Sequence, residues 1–93
     1  MTTNKIIITV SGTDKVGIVA KVATILSELN VNIEDIKQTL MQGHFVMFML
    51  CDISKSNKSF KEIKEKLHSE SEQLNMEIWV QKKEIFDTMH AIG

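Results

Sequence analysis

Five successive apolar or β-branched residues, Ile6 to Val10, open the chain with a strand that runs from Lys5 to Ser11. The cluster Gly12-Thr13-Asp14-Lys15 turns it. Beyond the turn, Val19, Val22, Ala23, Leu26 and Leu29 recur at spacings of three and four, the period of one helix face. Asp14 or Thr13 can cap its start, and Asn30 suits its end because asparagine tolerates the left-handed conformation. Asn32 to Gln42 reads as a second strand, less regular near Glu34-Asp35. Gln42-Gly43 has the composition of a tight hairpin turn, and His44 to Ile53 forms the third strand. Ser54 to Lys58 is a polar loop. Ser59-Phe60-Lys61-Glu62 is a capping box, and Phe60, Ile63, Leu67 and Leu74 give the helix behind it one apolar stripe. Met76, Ile78 and Val80 alternate along a fourth strand ending at Lys82. Glu84 to Ile92 is a short amphipathic tail carrying Ile85, Phe86, Met89 and Ile92.

The order β-α-β-β-α-β is that of the ferredoxin-like α+β fold. It predicts a four-stranded antiparallel sheet with two helices on one face, plus a short C-terminal helix. One domain spans 1–93, with its core at 5–82 and the tail at 84–93. An antiparallel sheet with a wet face alternates apolar and polar residues. The third strand does not: Phe45 to Cys51 are all apolar. Its helix-free side therefore needs a cover, either the tail helix or a second copy of the chain.

Composition narrows the function classes. Eleven basic residues, all lysine, face twelve acidic ones, for a net charge of -1. Nucleic-acid binders carry a basic surplus and arginine forks, so nucleic acid is not an expected partner. The glycine-aromatic run Gln42 to Phe48 resembles an RNA-binding strand, but Phe45 and Phe48 are three apart and face opposite sides. The lone Cys51 permits no internal disulfide and fits a cytoplasmic setting. The apolar run Ile6 to Val10 is too short for a signal-peptide core or a membrane span, so no membrane contact is expected.

Catalytic and metal chemistry find little support. The first loop lacks the paired cysteines of metal-transfer domains, and no arginine is present to hold a phosphate. Cys51 lies mid-strand, where a thiol is usually an inert core residue. His44, His68 and His90 have no partner at metal-ligand spacing. No catalytic residue, metal or cofactor is expected, and the chain is read as no enzyme.

The informative stretch is Ser11 to Val19. Gly12 and Gly17 permit close backbone approach. Free amides at a helix start favour a carboxylate, and Asp14 beside them suits an ammonium group, a pairing that describes a free amino acid. On composition alone the commoner reading is that the two glycines serve only to let the chain turn and the helix pack close to the sheet.

Asp14-Lys15-Val16-Gly17-Ile18-Val19-Ala20-Lys21-Val22, Ile25-Leu26, Asn30-Val31-Asn32-Ile33, the Gly43 hairpin and the apolar third strand together resemble an ACT domain. The resemblance covers about Lys5 to Lys82 and is closest to small stand-alone ACT proteins, similar to the domains of the glycine-cleavage-system regulator. It implies a non-enzymatic sensor of small ligands, commonly amino acids. Such domains usually pair side by side through their sheets, with ligand between the first loop of one subunit and the second strand of the other. By position, Asp14 matches the loop residue that contacts ligand polar groups, Gly17 the glycine that lets ligand approach the helix start, and Asn32 the interface asparagine of the neighbouring subunit. The expected ligand-binding set is this loop, Gly12, Thr13, Asp14, Lys15, Val16, Gly17 and Ile18, with Asn32. Many members carry Arg-Pro where this chain has Lys15-Val16. The expected partners are an amino-acid-like ligand, a second copy of the chain and a separate regulated protein. The alternative is an adaptor that binds protein without ligand, through the exposed sheet face or the tail.

Overall fold

In a computed structural model that describes residues 4–73 and 75–90, the elements follow the expected order. They are β1 (Lys5–Gly12), α1 (Lys15–Glu28), β2 (Asn32–Met41), β3 (His44–Asp52), α2 (Phe60–Gln73), β4 (Glu77–Lys82) and α3 (Lys83–His90). The four strands form one antiparallel sheet in the order β2-β3-β1-β4. This is the ferredoxin-like βαββαβ fold with a third helix appended.

β1 alternates strictly. Ile6, Ile8, Val10 and Gly12 are buried beneath the helices, while Ile7, Thr9 and Ser11 lie half-buried on the opposite face. On β3, Phe45, Met47, Met49 and Cys51 join the core, and Phe48 points the other way. Phe45 and Phe48 therefore occupy opposite faces, as their spacing requires. Cys51 is fully buried, and burial pushes its thiol pKa up to about 12.

The hairpin turn has positive φ at both central residues, Gln42 at 51° and Gly43 at 83°. That is the primed turn whose twist matches paired strands. At α2 the capping box closes as its sequence requires: Glu62 Oε1 accepts from the Ser59 amide at 2.8 Å and Ser59 Oγ from the Glu62 amide at 3.1 Å. Ile63 and Leu67 are buried, and Ser71 continues their stripe with its hydroxyl donating to the His68 carbonyl at 2.7 Å. Leu74, and the tail residues Ala91 to Gly93, lie outside the described residues.

Two local features differ from the sequence pattern. The buried face of α1 is Ile18, Val22, Ile25, Leu26 and Leu29, with Val19 half-buried and Ala23 exposed. Both registers obey the three-four spacing; burying two isoleucines in place of Val19 and Ala23 removes more apolar surface from water. The irregularity in β2 is a bulge at Glu34. Ile33 pairs with Cys51 and Asp35 with Leu50, so Glu34 has no partner of its own. The extra residue reverses the side-chain alternation. Ile36 and Leu40 thereby share the helix side, and Asp35 and Lys37 face away from it.

α3 packs on β1 and β4. Phe86 shares a groove with Ile7, Phe48 and Leu50, so the helix covers part of the helix-free face of the sheet. Among the described residues, no helix is long and apolar enough to cross a membrane.

Candidate functional site

The β1–α1 corner is built by the cap of α1. Asp14 is the N-cap, and its Oδ1 accepts from the Gly17 amide at 3.1 Å. The Ile18 amide bonds to the Asp14 carbonyl at 2.9 Å. Of the first amides of the helix, those of Lys15 and Val16 remain without an acceptor among the described residues. A Cβ at Gly17 would lie 2.5 Å from Asp14 Oδ2. Glycine at 17 is therefore what lets the carboxylate fold over the helix start.

The other expected residues divide between packing and surface. A Cβ at Gly12 would fall 2.5 Å from Ile18 Cδ1 and 3.3 Å from Met76 Cβ, so this glycine permits helix and sheet to close together. Ile18 is 2% exposed; its side chain belongs to the core, and only its backbone faces the loop. Thr13, Asp14, Lys15 and Val16 are exposed, Val16 at 79%. The Lys15 ammonium stands 5.8 Å from the centre of the Phe45 ring, a cation–π distance that holds it beside the corner. Ser11, Gly12 and Thr13 also line a cleft of about 460 Å³ with His44, Asn75 and Glu77.

Asn32 sits elsewhere. It pairs with Asp52 at the start of β2, beside the C-terminal end of α1, and α1 is about 21 Å long at 1.5 Å per residue. It lines a larger cleft of about 710 Å³ with Asn30, Val31, Asp52 and Lys55. Within one chain the structure does not bring Asp14 and Asn32 together.

Sequence reasoning missed the charge cluster beside Asn32. Lys5 Nζ lies 2.6 Å from Glu34 Oε2 and 3.3 Å from Asp52 Oδ2, tying the bulge of β2 to β1 and β3. The Glu34 hydrogen bond is the main cause raising the Lys5 pKa, with Asp52 adding to it. The Ser54 amide, and then Lys5, lower that of Asp52. A bulge signal at Glu34-Asp35 is visible in the sequence; its pairing to Lys5 depends on register. Among the described residues, no three His, Cys, Asp or Glu side chains are grouped to hold a metal ion.

The sheet order, the helix side and the capped first loop define a ferredoxin-like α+β domain, and comparison with known proteins names its family. The sequence profile of the ACT domain matches residues 4–81. The chain belongs to the ACT domain family, a family of regulatory domains. A UPF0237 protein of Listeria innocua is 49% identical over 86 residues, covering 92% of this chain and 97% of that one. A UPF0237 protein of Methanosarcina acetivorans is 44% identical over 92 residues, 99% of this chain and all of its own length. Among solved structures, an ACT domain protein from Streptococcus pneumoniae superposes with a TM-score of 0.79 at 36% identity, covering 92% of this chain and 97% of that one. A protein described as a putative glycine cleavage system transcriptional repressor shares the fold, with a TM-score of 0.75 at 11% identity over 87% of this chain and 48% of its own.

Proposed function

We propose that the chain is a single cytoplasmic regulatory domain, without catalysis of its own, that binds a free amino acid between two copies paired along β2. The observation that carries this reading is the separation of Asp14 from Asn32 across one sheet whose β2 edge is open. β1 and β2 both run antiparallel to β3, so they run parallel to each other, and Asn32 lies at the sheet end opposite Asp14. β2 is an edge strand exposed at every residue but Ile33, with apolar Ile36, Leu40 and Met41 uncovered. Such an edge is a template for pairing. Antiparallel pairing of two β2 edges reverses one copy and carries its Asn32 toward the Asp14 corner of the other.

At that shared corner Asp14 Oδ2 receives the ligand ammonium, and the amides of Lys15 and Val16, with the Lys15 side chain, receive its carboxylate. Gly12, Thr13, Gly17 and Ile18 shape the loop through their backbone, and Asn32 of the neighbouring copy closes it. Ligand would tighten the pair, and a separate regulated protein would read the change. Affinities of about micromolar to millimolar, roughly −8 to −4 kcal/mol, suffice for a metabolite sensor.

Calorimetry and thermal shift across the common amino acids test this. At least one amino acid binds the wild type, and Asp14→Asn abolishes binding while keeping the cap, because asparagine caps helices about as well as aspartate. Binding to none, or equal binding to Asp14→Asn, defeats the reading. The exposed Phe48 and Trp79 favour a second reading, an adaptor without ligand. It would capture a partner equally with and without amino acids, and lose it on deletion of 85–93.

A further inference from the structure

The helix-free face of the sheet is covered at one end and open at the other. Lys82 pairs with Ile6, so α3 begins at the Lys5 end of the sheet. It lies on β1 and β4, and its Phe86 forms one wall of an open groove of about 340 Å³ with Ile7, Phe48 and Leu50. The next row toward the hairpin runs Lys37, Phe48, Thr9, Trp79 across all four strands. This row stays open to solvent, with Phe48 40% and Trp79 50% exposed. α3 in turn leaves an apolar residue of its own uncovered, Ile85 at 50%.

We propose that this half-covered face is an interface between two copies of the chain, packed face to face about a two-fold axis that runs across the strands, between α3 and the open row. The operation reverses the strand ends. Each α3 then drops onto the open row of the other copy, and Ile85 meets the partner's Phe48 and the partner's Trp79. The chain thus supplies both halves of one contact, an apolar helix flank and an aromatic floor. The sizes agree. From Ile7, under α3, to Gly12 at the end of β1 is about 16 Å at 3.3 Å per residue, room for one helix about 10 Å across. The molecule is a slab of 39 × 36 × 19 Å, and its broad face accommodates the about 800 Å² per partner that a stable interface buries. A chain of net charge -1 with one lysine on this row offers no field that selects a strongly charged partner instead. The interface is separate from β2–β2 pairing, whose axis stands perpendicular to the sheet. Where both form and the two axes meet at right angles, the assembly closes at four chains.

Trp79 is the only tryptophan and there is no tyrosine, so intrinsic fluorescence reads this surface directly. The full chain is measured over a dilution series, with acrylamide quenching and light scattering at each point. By the dilution at which the mass falls to that of one chain, Trp79 emission has shifted red and quenching has risen. Ile85→Glu, a change at an exposed position, shows red emission and strong quenching at every concentration and half the wild-type mass. Leu40→Lys, at the β2 edge, also halves the mass but leaves Trp79 protected. Emission and quenching that ignore both dilution and Ile85→Glu overturn the proposal, whether Trp79 is wet throughout or covered by its own chain. If Ile85→Glu disrupts assembly and Leu40→Lys does not, this interface stands and β2 pairing falls.

Discussion

The two ends of α1 meet the same requirement, a partner for stranded backbone groups, in opposite ways. At the C-terminal end the chain closes on itself. Asn30 takes φ 59°, the amides of Asn30 and Val31 return to the carbonyls of Ser27 and Leu26, and Asn30 Nδ2 donates to the Lys55 carbonyl at 2.8 Å. This is the Schellman arrangement. At the N-terminal end Asp14 satisfies one amide and leaves a carboxylate oxygen, two further amides and a valine 79% exposed. The closed end has no stranded backbone group left to satisfy. The open end keeps charge, donors and uncovered apolar surface, the features on which the proposed site rests.

The closed end depends most on Asn30. Asn30→Ala puts a Cβ without a compensating side-chain bond into the left-handed region and removes the link to Lys55, at a cost of about 1–2 kcal/mol in urea unfolding. Asn30→Gly, which relieves the backbone, recovers most of it. Equal stability of Asn30→Ala and wild type would mean that this end is not closed by Asn30.

A smaller effect sharpens the contrast through pH. The Asp52 pKa is lowered by the Ser54 amide and Lys5, and that of Glu70 by Lys66 and Lys21. A lowered folded pKa means stability that is present above about pH 4 and lost as pH falls through the lowered value. Lys5 is raised, so its contribution is complete below about pH 10 and fades as pH rises through the raised value. These groups are solvated, so the changes are modest. The urea midpoint should fall at both extremes, and Lys5→Met should flatten the alkaline limb. An alkaline limb unchanged in Lys5→Met would remove the cluster as its cause.

Much of this was legible in the sequence because the local chemistry is strong. Asn30 announces a left-handed end, Ser59 and Glu62 a capping box, and Gln42-Gly43 a hairpin. The doubly apolar β3 predicts a cover for its second face; Phe86 on α3 supplies part of one, and Phe48 stays 40% exposed. What stayed hidden depends on register. Periodicity admits both Ile18 and Val19 as the inward residue of α1, and only packing against Gly12 and Met76 decides it. The bulge at Glu34 is legible as an irregularity, yet its effect, turning Ile36 and Leu40 to the helix side, follows from pairing with β3. Asn32 and Asp14 stand close in the sequence pattern of a site, and the fold places them at opposite ends of a helix.

That separation makes the shared site directly testable by mixing two defective chains. Asp14→Asn and Asn32→Ala each lose amino-acid binding alone. After subunit exchange, a heterodimer carries both defects in one site and leaves its other site intact, so an equal mixture recovers about one site in four. Calorimetric recovery near that stoichiometry is the expected result. Full exchange with no recovered binding, or undiminished binding by Asn32→Ala alone, would contradict a site completed by the second copy.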